Sequence, residues 1–180
     1  EIIGISIDFI SEIIWDKDLI ISSDESTVQA AVQQFKDYYF TLRPDQIAFP
    51  RGANNITGCI ERRTYTNQAG QVVTVENYKK GTPIHVRASL AYNWLRKDLD
   101  LKQYPELRNG DKIKFLYLKP GKFTQNVIAF PDFLPKEFNL EQHIDKELQF
   151  QKTFVDAIEP ILNAIGWTAV KVNSLEDFFG

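Results

Sequence analysis

Several residue types are scarce or missing in this chain of 180 residues. It has no methionine and one cysteine, Cys59, so an internal disulfide cannot form and a reducing compartment is the natural expectation. The two histidines, His85 and His143, are too few and too far apart for a zinc motif. There is no apolar run of about 18 residues and no signal peptide at the N-terminus, so we expect no membrane partner.

The chain begins at Glu1, inside an apolar stretch, instead of at an initiator methionine. Such a start is typical of a piece cut from a longer protein or of a trimmed chain. The alternative is a naturally separate subunit from which an expression tag was removed.

Motifs for catalysis are missing as well. The sequence contains no P-loop, dinucleotide-binding, nucleophile-elbow or zinc-protease motif. Asp98 and Asp100 resemble a pair of metal ligands, but they follow a predicted helix end and indicate a solvated surface turn. Paired carboxylates on an apolar strand, which two-metal phosphoryl transfer requires, do not occur. An independent enzyme is therefore disfavoured, and no catalytic residue, metal site or cofactor is predicted in this chain.

Charge is distributed unevenly along the chain. Residues 1–45 carry a net charge of −6, residues 46–125 a net charge of +8, and residues 126–180 a net charge of −5. A basic middle between acidic flanks is expected where one face of a protein meets a polyanion. An ordinary solvated surface with an uneven share of lysines is the alternative.

Local patterns predict an α+β fold of small antiparallel hairpins with several packed helices. One hairpin is predicted from strands 59–65 and 71–78, and a second from strands 112–118 and 127–130. Between the two helical parts of the chain, residues 49–55 have the composition of a turn throughout.

Helices are predicted from apolar residues at helical spacing. The first covers 27–42, with Ser26 as its N-cap, and the second covers 88–97. The last third is predicted to be helical from a cap at Asn139, bent or divided at Pro160 and ended by Gly166.

Polar and basic side chains in the middle of the chain stand in predicted loops, on a strand and just ahead of a helix, where they can reach phosphates. Arg62 is adjacent to Arg63 on a strand, so only one of the two can belong to a given basic face. These residues are better suited to the backbone of duplex DNA, bound without sequence readout, than to single-stranded nucleic acid bound by base stacking. The candidate DNA-binding residues are Asn54, Asn55, Arg62, Lys79, Lys80, His85 and Arg87.

The C-terminal end carries a second candidate site. Leu175, Phe178 and Phe179 have the i, i+3, i+4 spacing that places three side chains on one face of a helical turn. An apolar face of this size is typical of a short anchor for a hydrophobic groove. A tail that packs back on its own core is the alternative.

Five short stretches match one family in order and spacing. They are P-I-H-V-R-A-S-L-A-Y-N at 83–93, A-N-N-I at 53–56, the strand pair within 109–131, the I-D and K-T-F segment within 144–154, and S-L-E-D-F-F at 174–179. These stretches resemble the C-terminal part of family B DNA polymerases of T4-like phages.

The resemblance implies a polymerase thumb over residues 46–168 and a sliding-clamp-binding tail over 169–180. Residues 1–45 would then be the palm edge or the segment that connects palm and thumb. Lys80, His85 and Arg87 would contact phosphates of the primer–template duplex, with Asn54 and Asn55 close by. Leu175, Phe178 and Phe179 would hold the clamp during viral DNA replication in the cytoplasm of an infected bacterium.

The family's aspartate motifs for Mg²⁺ and nucleotide, and its exonuclease domain, do not occur in this sequence. The resemblance therefore implies part of a DNA-directed DNA polymerase that is inactive alone. Its partners would be duplex DNA, the clamp and the palm and exonuclease part of the enzyme, which would hold the Mg²⁺. A non-catalytic adaptor that binds DNA or a clamp is the alternative function.

Overall fold

The structure, a computed structural model, describes residues 24–121 and 125–171. These residues form a mixed α+β fold of helices and two small antiparallel sheets, which confirms the predicted fold class. They make two compact units: Ala48–Asp145 is one, and residues 24–47 with 146–171 belong to the other. The elements in chain order are α1 (Glu25–Thr41), α2 (Pro44–Ile47), β1 (Phe49–Gly52), β2 (Ile60–Thr66), β3 (Val72–Tyr78), α3 (Ile84–Asp98), β4 (Lys112–Tyr117), β5 (Val127–Phe130), α4 (Lys146–Phe150) and α5 (Asp156–Ala164).

Helix α1 begins two residues earlier than predicted, and its cap differs. Asp24 is the N-cap, because its Oδ1 accepts a hydrogen bond of 2.9 Å from the backbone N–H of Thr27. The hydroxyl of Ser26 also donates to this carboxylate. The prediction of Ser26 as the cap was therefore wrong: aspartate and serine are both good caps, and the local geometry selects between them.

Aromatic rings form the centre of the unit that contains α1. The Phe35 ring lies 4.7 Å from that of Phe154, and the Tyr39 ring lies 5.2 Å from that of Phe150. Buried Gln149 donates a hydrogen bond of 2.9 Å to the carbonyl of Ile47. The first and last described parts of the chain are thus held together by rings and by a satisfied buried amide.

In the last third of the chain, the long helical segment begins later than predicted. Asn139 has a φ of 51° and ends a short 3₁₀ helix, Lys136–Phe138, so it does not cap the long helix. That helix begins at Lys146, and a π-helical turn, Gln151–Val155, separates α4 from α5. Gly166, with a φ of 79°, follows the end of α5 as predicted, since glycine adopts this conformation without strain.

The three-stranded sheet has the order β1-β4-β5 and is antiparallel throughout. Its β4–β5 pair is the second predicted hairpin. The prediction of a turn over 49–55 was wrong at its start, because Phe49–Gly52 pairs with Lys112–Phe115 of β4. Pro50 fits there because the ladder bonds are made by its neighbours, so its missing N–H lies on the outer edge.

The first predicted hairpin is also present, as a two-stranded sheet of β2 and β3. Seven residues of each strand pair in register, from Ile60 opposite Tyr78 to Thr66 opposite Val72. Asn67 organises the connecting loop, since its Oδ1 accepts from the backbone N–H groups of Ala69 and Gln71.

Helix α3 packs against β4 and β5 and begins four residues earlier than predicted. Pro83 stands at its N-cap, with the φ that proline imposes and that suits a helix start. His85 and Arg87 therefore belong to the first turns of α3, and the prediction that they stand just ahead of this helix was wrong. Val86, Leu90 and Tyr92 of α3 are buried, and the ring of Tyr92 contacts that of Phe138.

Candidate nucleic-acid interface

The N-terminus of α3 is open to an anion. Its N-cap residue, Pro83, supplies no side-chain hydrogen bond to the first amides, and the first turn contains no acidic residue. Unsatisfied amides and the helix dipole favour negative charge at such an end. His85 and Arg87 lie on this turn, so two of the predicted DNA-binding residues are placed beside it.

Arg87 is held in place by an aromatic ring. Its guanidinium carbon lies 5.5 Å from the centroid of Tyr78, the last residue of β3. Its Nε is shielded from solvent and has no hydrogen-bond partner within the described part of the chain. Neither Arg87 nor Lys80 forms an ion pair with any residue that the structure describes. Both cations are thus available to an external anion.

The basic loop of residues 79–83, which follows β3, is hydrogen-bonded to residues 58–59. The backbone N–H of Lys79 donates to the carbonyl of Cys59 at 2.9 Å, and its Nζ donates to the carbonyl of Gly58 at 2.7 Å. Thr82 closes the loop, because its hydroxyl donates to the carbonyl of Lys79 at 2.7 Å. Lys80 is therefore exposed on an ordered turn between these anchors.

Asn54 and Asn55 are exposed on a turn that is pinned at both sides. Buried Ala53 exchanges backbone hydrogen bonds with Gly110 and Asp111, at 2.7 and 2.8 Å. The backbone N–H of Ile56 donates to Oδ1 of Asn109 at 2.6 Å. The A-N-N-I stretch and the stretch that begins at residue 109 thus lie against each other, and Asn55 has the left-handed φ of 58° that asparagine tolerates.

Arg51 joins the cluster although the sequence did not single it out. It lies on β1, and after burial its positive charge is the second cause that lowers the pKa of His85. His85 is therefore mainly a neutral hydrogen-bonding group at neutral pH. Arg51 was missed because its strand was interpreted as a turn, and its place near α3 depends on the pairing of β1 with β4. We call Arg51, Asn54, Asn55, Lys79, Lys80, His85 and Arg87 the basic cluster.

Arg62 is placed differently from the other predicted residues. Its guanidinium pairs with Glu76 at 2.8 Å, directly across the β2–β3 hairpin. The other oxygen of Glu76 accepts from the indole N–H of Trp94 at 3.3 Å, in the C-terminal half of α3. Arg63, on the opposite face, pairs with Glu61. Both hairpin arginines already have carboxylate partners, so the structure does not bring Arg62 into the basic cluster.

The unit that holds the cluster is basic as a whole. Ala48–Asp145 contains fifteen lysine and arginine residues and ten aspartate and glutamate residues, a net charge of +5. Asp98 and Asp100 are both exposed at the end of α3, and Asp100 pairs with Lys102. The predicted surface turn is thus confirmed.

The remaining predicted site lies elsewhere. The tail residues Leu175, Phe178 and Phe179 lie outside the described residues. Over residues 24–121 and 125–171, no three His, Cys, Asp or Glu side chains gather as they would around a metal ion. In that same part of the chain, no helix is both long and apolar enough to cross a bilayer.

Comparison with protein-family models gives no match, and a search of curated proteins gives none either. Two cations without acidic partners among the described residues, the start of α3 and two exposed asparagines on a pinned turn are suited to phosphate oxygens. Contacts of this kind with phosphate oxygens do not depend on the base sequence.

Proposed function

We propose that this chain is the C-terminal thumb part of a DNA-directed DNA polymerase and grips primer–template duplex through its phosphate backbone. The observation that carries this proposal is Arg87, which is oriented by Tyr78, lacks a carboxylate partner among the described residues and lies beside the uncapped start of α3. Arginine held in one orientation is well suited to a phosphate group.

The arrangement of the cluster favours contacts with the backbone over sequence readout. Its members come from two segments, 51–55 and 79–87, and Lys79 of the second is hydrogen-bonded to Gly58 and Cys59, which follow the first in sequence. An element that reads bases in the major groove would present a row of side chains along one helix face or ribbon. In this chain α3 contributes only the side chains of its first turns to the basic cluster. We therefore expect contacts with phosphates, which position a protein on a duplex without reading its bases.

The proposal also includes a tether to a sliding clamp, which rests on the sequence of the tail. A peptide of residues 170–180 is expected to bind a phage clamp ring, and Phe178→Ala and Phe179→Ala to abolish this binding. Binding can be measured by fluorescence anisotropy of the labelled peptide. If the wild-type peptide ignores the ring, the tether is refuted while the duplex contact still stands.

The duplex contact is tested by the salt dependence of DNA binding. The full chain is titrated with two labelled duplexes of unrelated sequence over a range of KCl concentrations. If three to four phosphates are neutralised, log affinity should fall against log salt with a slope of about −3 for both duplexes, at roughly 0.9 per phosphate. A flat salt dependence, or a large preference for one duplex, contradicts the proposal.

Single substitutions locate the contact. Arg87→Ala and Lys80→Ala should each weaken binding to both duplexes alike and reduce the slope by about 0.9. Lys102→Ala is the matched control, since Lys102 is an exposed lysine of the same unit that already pairs with Asp100. Equal losses in all three variants would mean that general positive charge, and not the basic cluster, holds the DNA.

A further inference from the structure

A groove of about 620 Å³ lies at the other end of α3 from the basic cluster. Trp94 and Leu95 of α3 line one side of it, and Val127 and Ile128 of β5 line another. The third side is Thr74–Asn77, four consecutive residues of β3. Because successive side chains of a strand point to opposite faces, a run of consecutive lining residues means that the edge of β3 borders the groove.

Backbone groups along the edge of β3 have no partner among the described residues. The β2–β3 sheet has two strands, so within the described residues no third strand covers β3. The backbone N–H of Lys79 donates to Cys59, and that of Asn67 donates to Gln71, at the two ends of the β2–β3 pair. In an antiparallel pair, hydrogen-bonded and non-hydrogen-bonded residues alternate, so the odd-numbered residues of β3 are the ones that bond to β2. The N–H and C=O groups of Thr74 and Glu76 therefore point outward, on the edge that borders the groove.

Glu76 holds this edge beside the helix. One of its carboxylate oxygens accepts from Arg62 and the other from the indole N–H of Trp94. The hairpin is thus tied to α3 at the same residue whose backbone groups face outward. An exposed strand edge of this kind is a template for pairing with another extended chain.

The charges of the groove indicate what it can hold. Glu76 is neutralised by Arg62, and Asp98 stands next to Lys97 on its rim. Because Arg62 and Lys97 balance these two carboxylates, the groove offers a polyanion no net positive charge, whereas an uncharged peptide strand meets four hydrogen-bonding groups and an apolar floor. The complementarity is therefore with a polypeptide backbone and apolar side chains, and not with nucleic acid.

We propose that this groove binds an extended peptide of a partner protein, which pairs as an added strand with the edge of β3 and places apolar side chains against Trp94 and Leu95. Backbone pairing would supply affinity, and the spacing of apolar residues in the peptide would supply specificity. This site is separate from the basic cluster, so duplex DNA and the peptide should bind at the same time.

The test uses the full chain as target for a displayed library of random peptides, and the most enriched peptide as probe. Thr74→Pro removes one outward N–H, which an edge strand tolerates because this N–H is not used in the ladder. Thr64→Pro is the matched control: Thr64 lies directly opposite Thr74, faces the other edge and loses the same bond between the two hydroxyls. Thr74→Pro should weaken peptide binding about tenfold or more, and Thr64→Pro much less.

A second readout follows the backbone directly. In amide hydrogen exchange followed by NMR, the bound peptide should protect the amides of Thr74 and Glu76 and leave those of Arg62 and Thr64 unchanged. The proposal is overturned if no library peptide discriminates between the two proline variants. It is also overturned if duplex DNA displaces the peptide, or if protection at β3 arises from concentration-dependent dimers of the chain alone.

Discussion

The side chain of Asn93 offers a test of how α3 is joined to the loop that follows it. Its Nδ2 donates to the carbonyl of Leu107, and its Oδ1 accepts from the N–H of the same residue, both at 2.9 Å. Leu107 is almost fully buried. Asn93 therefore satisfies both backbone groups of a residue that water does not reach, and Asn93→Ala removes both partners at once.

The cost can be worked out from these two bonds. A buried donor or acceptor that loses its partner destabilises the folded state by about 1–3 kcal/mol. Two such groups in Asn93→Ala give a loss of about 2–6 kcal/mol in the free energy of unfolding, with the lower end expected if water enters the space that the amide leaves. A loss of this size is a large fraction of the stability of a typical domain.

Urea denaturation with linear extrapolation measures this loss. Asn54→Ala is the control in the same unit, because Asn54 is exposed and its substitution should change the free energy of unfolding by less than about 0.5 kcal/mol. It should instead weaken DNA binding if the basic cluster contacts duplex. Equal and small losses in Asn93→Ala and Asn54→Ala would refute the assignment of Asn93 as a structural clamp.

Two further predictions concern the hairpin and the turn that precedes it. A Cβ added at Gly58 would overlap the side-chain amide of Asn55, whereas one at Gly52 has its nearest atom at 3.8 Å. Because the Asn55 side chain is exposed and can rotate away, Gly58→Ala and Gly52→Ala should each change the melting temperature by less than about 2 °C in scanning calorimetry, but Gly58→Ala should weaken DNA binding more than Gly52→Ala, since it displaces a member of the basic cluster. A loss of more than about 4 °C in Gly58→Ala would contradict this reasoning. The hydrogen bond from Arg62 is the main cause that lowers the pKa of Glu76 below 4.5, so the stabilisation from this pair is present above pH 4.5 and is lost as pH falls through the lower folded pKa. The NMR resonance of the Trp94 indole N–H should shift over that acidic range in the wild type and stay constant in Glu76→Gln. If both proteins show the same pH profile, Glu76 is not the group that titrates beside Trp94.

Features that depend on neighbours in sequence were predicted well. The two hairpins could be found because alternation of apolar and polar residues and a turn composition at 67–70 are local signals. The C-terminal end of α5 was found for the same reason, since glycine favours the left-handed conformation that follows a helix.

Features that depend on distant partners were missed. Strand β1 contains a proline and a glycine, which are poor strand formers, and it is a strand only because β4, whose paired residues lie sixty or more positions away, pairs with it. The start of α3 was placed too late because a proline at the N-cap was interpreted as the end of a loop. Asn139 was assigned as a cap from its residue type alone, although its backbone conformation ends a different helix.

The sequence by itself determined the α+β class and the basic character of the middle of the chain, and it proposed six of the seven members of the basic cluster as candidates, because composition and short-range pattern carry that information. Only the tertiary structure decided which cations are available. Arg62 and Arg87 look alike in sequence, yet a cross-strand glutamate pairs with Arg62, whereas an aromatic ring orients Arg87 and no carboxylate pairs with it among the described residues. Whether a charged side chain is available depends on which groups the fold places within a few ångströms of it. Those groups are distant in sequence, so the residues that flank Arg62 and Arg87 do not reveal them.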